Sequence, residues 1–328
     1  MHSDTLSDVL QAVRLQGAIF FDVDAHAPWV AEAPRARDIA PKVMPRAEHV
    51  IEYHVVTGGS CWASIVGDSG VPPVRLSAGD VVAFPQGDAH VLSSARGMRG
   101  TLDLSPYDAP AGAAQLPLML NLDGGGEGAQ IVCGFLGCDV RPFNPLLQSL
   151  PRMLHVRGEQ GSDAGPTEAF MRFALLETRE QRAGAASILS RLGEVLFAEL
   201  VRRYIETLPE ENRGWLGGLR DRHVGGALAL LHAQSGRNWT LDDLAREAGL
   251  SRSALTARFS NYIGMAPMQY LQRWRLQLAA SQLADGEASI GDIAARAGYE
   301  SEAAFNRAFR KAVGMPPAAW RRYRNAAA

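Results

Sequence analysis

Leu241-Asp-Asp-Leu-Ala-Arg-Glu-Ala-Gly-Leu250 is followed by Ser-Arg-Ser-Ala-Leu-Thr-Ala-Arg-Phe259 and then by Gly264-Met-Ala-Pro267. The pattern returns as Ile290-Gly-Asp-Ile-Ala-Ala-Arg-Ala-Gly-Tyr299, Ser301-Glu-Ala-Ala-Phe-Asn-Arg-Ala-Phe309 and Gly314-Met-Pro-Pro317. The offset is 49 residues as far as Gly249/Gly298 and 50 from Leu255/Phe305, so the second turn is one residue longer. A register-matched repeat of this kind marks a duplicated supersecondary unit.

Each copy spells helix, tight turn, helix. Thr240 and Ser289 are positioned to cap the first helix, with Asp243 and Asp292 three residues on as reciprocal partners. Leu241, Leu244, Ala245 and Ala248 recur at helical spacing, as do Ile290, Ile293, Ala294 and Ala297. Gly249 and Gly298 end that helix where a left-handed residue is needed. The second helices bury Leu255 and Phe259, then Phe305 and Phe309. Their outward positions are polar: Arg252, Ser253 and Thr256 in the first copy, Glu302, Asn306, Arg307 and Arg310 in the second. This is a helix-turn-helix pattern, whose second helix enters the major groove of DNA.

Two such units, the Gly-x-x-Pro after each second helix and a connecting helix over Met268–Ala284 resemble the DNA-binding domain of the AraC/XylS family. The resemblance covers about residues 215–325. It implies that base readout falls to side chains such as Arg252 and Arg307, the latter able to contact guanine bidentately. Asn306 reads adenine or touches phosphate, and Glu302 accepts from a cytosine amine or solvates the helix start.

The remaining composition fits that reading. A chain of 328 residues exceeds one typical core and predicts at least two domains. No apolar run approaches about 18 residues, so no membrane span is expected. The N-terminus does not resemble a secretory signal, and 3 cysteines make no disulfide framework, which points to a reducing cytoplasm. Net charge is −2, yet residues 213–328 carry 16 basic and 9 acidic side chains, leaving 17 and 26 for the rest. The basic end supplies phosphate contacts where they are wanted.

Residues 1 to about 15 read as an amphipathic helix with Leu6, Val9, Leu10 and Val13 on one face. From Gly17 short apolar runs alternate with Gly, Pro and Asp clusters, the texture of a β-sandwich or barrel. Gly79-Asp-Val-Val-Ala-Phe-Pro85-Gln-Gly87-Asp-Ala-His90 resembles the second cupin motif, and Tyr53-His54 to Gly58-Gly59 stands where the first belongs. The resemblance, over about residues 15–145, implies a cupin-type sensor. There is no His-x-His, however, and Ser94 replaces the expected Asn, so the usual oxygenase-type metal set is incomplete.

Another donor set is His54, Cys61, His90 and Cys133. His54 and Cys61 are expected to face each other across a hairpin at Thr57-Gly-Gly, with His90 at the barrel mouth and Cys133 on a later strand. Two thiolates and two imidazoles suit tetrahedral Zn²⁺. Cys138 and His49 are substitutes. The alternative reading makes both cysteines buried small hydrophobes and both histidines hydrogen-bonded core residues.

Residues 105–128 are expected to form a long Pro/Gly-rich loop with an apolar insert over Leu116–Leu120, and Pro142–Pro151 with Leu154-His155 resemble the segment that closes the sensor in the family. Gly158–Pro166 and Pro209–Gly218 read as linkers around two helices, Thr167–Arg182 and Gly184–Leu208, which in relatives often provide a dimer contact or else pack on their own barrel. The expected fold is therefore multi-domain: an all-β cupin-like barrel of jelly-roll type (1–155), a helical linker (165–208) and an all-α domain with two helix-turn-helix units (215–325). The function implied is a non-enzymatic, sequence-specific transcription regulator whose barrel senses a small ligand or metal. Its expected partners are double-stranded DNA, a small-molecule effector, a second copy of the chain, and RNA polymerase where it activates. The alternatives are a cupin-type metal-dependent enzyme fused to a DNA-binding module, and a zinc-stabilised barrel that only dimerises.

Overall fold

The computed structural model describes residues 4–108, 117–158, 173–174, 176–177, 180, 183–209, 211–286 and 288–326. They fall into two compact units. One is Leu15–Cys138 with Leu150–Tyr204; the other joins Met1–Arg14 and Asp139–Ser149 to Ile205–Ala328. The division differs from the expected 1–155 sensor, because the N-terminal helix and the segment after Cys138 pack with the C-terminal helices. Most of the helix expected over Thr167–Arg182, the linker after Gly158 and Leu116 lie outside the described residues.

The chain opens with α1 (Thr5–Ala12), capped by Asp4, whose side chain accepts from the Ser7 N–H. Then follow β1 (Gln16–His26), β2 (Val30–Ala33), α2 (Ala36–Val43), β3 (His49–Ile65), β4 (Val74–Ser77), β5 (Val81–Phe84) and β6 (His90–Ser93). After a 3₁₀ turn at Ser105–Asp108 come β7 (Leu118–Asp123), β8 (Gly128–Cys138), α3 (Pro145–Ser149), β9 (Leu154–Val156) and α4 (Ala185–Thr207). Part of the expected 105–128 loop is thus the strand β7, which pairs in parallel with β1.

β3 organises the β unit. Its first half pairs antiparallel with β8 and β5, and its second half with β4 and β6. One strand therefore belongs to both sheets, as a cupin-like barrel requires. Thr57-Gly-Gly does not turn a hairpin. The strand runs straight through it, and the register with β8 shifts between Val56 and Gly58. Two residues past this bulge, Gly59 has a φ of +68°, and a Cβ there would lie 2.0 Å from the Gly128 carbonyl oxygen. The core between the sheets holds Phe21, Trp29, Phe84, Leu92, Ile131 and Phe135. On the outer side of β8, Val132 packs with Ala174, Leu189 and Leu192.

The helical unit continues with α5 (Trp215–Arg220), which overlaps the end of the expected second linker, then α6 (Arg222–Ala233), α7 (Leu241–Glu247) and α8 (Arg252–Ile263). It ends with α9 (Pro267–Asp285), α10 (Ile290–Arg296), α11 (Glu302–Val313) and α12 (Pro317–Ala326). The caps are those the repeat encodes. Thr240 and Ser289 accept from the Asp243 and Asp292 N–H groups, Ser251 and Ser301 from those of Ala254 and Ala304. Each such cap contributes about 1 kcal/mol. Gly249 and Gly298 carry φ of +71° and +79°. Leu255, Phe259, Phe305 and Phe309 are fully buried. On α9, Leu271 and Trp274 face inward as expected, whereas Leu278 is half-buried and the fully buried neighbour is Gln277.

Candidate nucleic-acid interface and buried cavity

The second helix of each helix-turn-helix unit, α8 and α11, carries all seven side chains expected to face DNA. On α8, Arg252 and Ser253 are exposed and Thr256 is half-buried. Glu302, Arg307 and Arg310 are exposed on α11, and Asn306 is half-buried. Glu302, Asn306 and Arg310 follow one another at four-residue steps and so share a face. The Asn306 amide donates to the Glu302 backbone carbonyl at 3.0 Å. Arg252 lies 3.2 Å from Asp242 at a solvent-exposed contact. Such a pair is weakly held and can be exchanged for phosphate or a base edge. Arg258, also exposed on α8, is committed otherwise: its Nη2 and Nε donate to Asp221 at 2.6, 2.9 and 3.0 Å. The helix α9, 19 residues long, spans about 28 Å at the helical rise and joins the two units.

The β unit holds a cavity of about 270 Å³ that opens to solvent past the exposed Thr101 and Asp103. Its walls are mainly apolar, including Phe21, Val23, Trp29, Leu92, Ile131 and Phe135, with Tyr107 and Thr101 among the polar contributors. Glu32 also lines it, held by Arg99 through contacts of 2.7 and 3.0 Å.

Three ionisable side chains, Glu52, His54 and His90, converge at this cavity. Glu52 and His54 are two apart on β3, so both project to one face. His90 begins β6 opposite Ile65. The donor atoms of the three lie within 4.8 Å of one another. His54 Nε2 is 2.6 Å from His90 Nε2, and His90 Nε2 is 3.9 Å from Glu52 Oε2. The His90 ring stacks on Phe84 with centroids 3.7 Å apart, and its Nδ1–H donates to the Asp88 carbonyl at 2.9 Å.

The expected four-residue zinc set is therefore only partly assembled. His54 and His90 meet, and Cys133, the cross-strand partner of His54, lines the same cavity. Cys61 does not line it. The bulge at Thr57 keeps Cys61 seven residues further along one strand, opposite Leu76 in the apolar core, where a hairpin would have returned it to His54. Neither sulfur joins the group of converging donors. His49 is engaged with the Pro85 carbonyl at 2.7 Å, and Cys138 is buried at the far end of β8. Glu52 was absent from the expected set, although its spacing from His54 was the signal for it.

Burial governs the electrostatics. It pushes the Glu52 carboxyl well up, and lowers His54, with the neighbouring His90 adding to the effect. Burial also lowers His90 to about 4, against the opposing hydrogen bond to Asp88. Both imidazoles are thus neutral near pH 7. Cys61 is pushed up to about 12 by burial and by Asp80, and Cys133 upward by burial, then by Cys61, Glu52 and Asp22. Both thiols are protonated near neutrality, without the thiolate character of a reactive cysteine.

Comparison with known proteins accounts for both units. Residues 4–206 match a family described as Cupin, and residues 244–323 one described as a helix-turn-helix domain. An AraC-like transcription regulator of Streptomyces lividans is 30% identical over 325 residues, covering 98% of each chain. The regulator AlkR of Acinetobacter baylyi is 27% identical over 321 residues, covering 97% of this chain and 99% of its own. Among solved structures, fatty-acid-bound ToxT of Vibrio cholerae covers 94% of both chains at 13% identity and a TM-score of 0.33.

Proposed function

The chain belongs to the AraC-type transcription regulators with an N-terminal cupin domain, and from that premise we propose that its β unit takes a small, largely apolar effector that controls DNA reading by α8 and α11. The observation that carries this reading is the cavity, whose apolar walls close around a few polar groups as a small-molecule site does. The mainly apolar walls match a ligand without a charged group, because a charge buried there would lose its hydration.

On DNA, the two recognition helices would occupy successive major-groove segments about 34 Å apart, on one face of the duplex. The exposed apolar side chains Phe173, Leu176 and Val195 support a homodimer formed through the helical segment that includes α4. RNA polymerase is the further partner at promoters where the protein activates. A regulatory rather than enzymatic role is supported by the relatives, which are transcription regulators.

The effector reading is tested with the neutral reporter dye N-phenyl-1-naphthylamine and the full chain. The expected result is saturable fluorescence enhancement that is lost in the cavity-filling variant Leu122→Trp, while DNA binding persists. Equal enhancement in wild type and variant contradicts a site in this cavity.

A further inference from the structure

Among the described residues, Glu52 Oε1 and His54 Nδ1 are buried without a hydrogen-bond partner. A carbonyl only accepts, so the His90 Nδ1 facing Asp88 carries the proton and its Nε2 presents a bare lone pair. That lone pair points at His54 Nε2, 2.6 Å away. Glu52 is 2% exposed, and its Oε1 has no hydrogen-bond partner among the described residues. Buried polar atoms are seldom left in that condition, because each unpaired group costs about 1–3 kcal/mol.

We propose that Glu52, His54 and His90 together hold a zinc-like divalent metal ion. Two imidazole nitrogens and one carboxylate oxygen are the borderline donors such an ion takes, in the three-ligand arrangement that leaves a further position for water. The proposal replaces the Cys61 and Cys133 sulfurs with one carboxylate. The same three side chains line the effector cavity, but holding the ion does not require an effector to be bound.

The geometry needs little change. Metal–nitrogen bonds of about 2.0–2.1 Å at a tetrahedral angle set the two Nε2 atoms about 3.3 Å apart. The rings would have to separate by less than about 1 Å from their 2.6 Å spacing. The outer support is already present: the Asp88 carbonyl fixes the His90 tautomer so that Nε2 faces the ion, as a ligating histidine requires. Phe84 stacks against the same ring and restrains its rotation. A bound ion would take up the negative charge that burial otherwise makes unfavourable on Glu52.

The test uses the full chain, purified without added metal and then incubated with Zn²⁺ and desalted. Elemental mass spectrometry should find about one zinc per chain in the wild type and almost none in a His54→Ala/His90→Ala variant of unchanged circular dichroism. The near-isosteric Glu52→Gln variant should retain the fold and surrender zinc at a lower chelator concentration. Replacement by Co²⁺ gives a second readout, with visible ligand-field bands and no intense near-ultraviolet thiolate charge transfer. A folded wild type that stays zinc-free after loading overturns the proposal. So does zinc retained unchanged in the double variant, or thiolate charge transfer abolished by Cys61→Ser/Cys133→Ser.

Discussion

Arg307 and Arg310 lie three residues apart on α11 and both are exposed, yet they should fail differently when truncated. Arg307 is the proposed bidentate reader of guanine, so Arg307→Ala should weaken specific binding by about 1–3 kcal/mol and relax preference at one base pair. Arg310→Ala should weaken binding to all sequences alike and reduce the salt slope by about 1. Competition with single-base operator variants, repeated at several salt concentrations, separates the two. An Arg307 variant with unchanged base preference removes that residue from direct readout. The outward identity of these side chains was legible in the sequence because buried Leu255/Phe259 and Phe305/Phe309 fix each helix's phase. The cavity residues were only half legible. His90 was marked by the turn before it, but Cys61 was misplaced because Thr57-Gly-Gly reads locally as a hairpin turn, and only pairing with β8 shows it to be a bulge. Glu52 escaped because a carboxylate next to apolar residues reads as a solvated position unless the strand's burial on both faces is known.

At the scale of elements, Asp221 joins two helices that the repeat alone does not connect. It caps α6, accepting from the His223 and Val224 N–H groups, and binds Arg258 on α8. Burial opposes its ionisation, but the Arg258 hydrogen bonds, with those backbone groups, hold its carboxyl down to about 2. The folded value is below the unfolded one of about 3.9, so the stabilisation is present above pH 4 and is lost as pH falls towards 2. Asp221→Asn should therefore lower the unfolding free energy measured by urea titration near neutrality, by about 1–2 kcal/mol given that Arg258 is half exposed. The gap between variant and wild type should close between about pH 4 and 2. A gap of constant size over that range would deny Asp221 this role. The helices themselves were readable from caps and periodicity. The tie between them was not, since Asp221 and Arg258 are 37 residues apart.

For the molecule as a whole, the first element of the chain folds with the last ones. Gln277 on α9 is fully buried, donates from Nε2 to the Ala12 carbonyl at 2.9 Å and accepts at Oε1 from the Phe143 N–H at 3.0 Å. Asp139 adds an ion pair to Arg324 of α12 at 2.8 Å, with both side chains under one-tenth exposed. Amphipathicity in α1 was visible in the sequence, but nothing in it names the surface an apolar face will cover. Gln277→Ala removes both hydrogen bonds and leaves two buried backbone groups unpaired, so the helical unit should lose about 2–3 kcal/mol. Calorimetry of the full chain should show this in the transition of that unit; an unchanged transition would contradict it. The central claim, that one chain reads DNA through two helix-turn-helix units on one face of the duplex, is tested most directly by selecting binding sites from random-sequence duplexes and footprinting the chosen site. Two contacted major-groove segments about one helical turn apart are predicted, one relaxed by Arg252→Ala and the other by Arg307→Ala; a single contacted segment, or two that both substitutions leave unchanged, would contradict it.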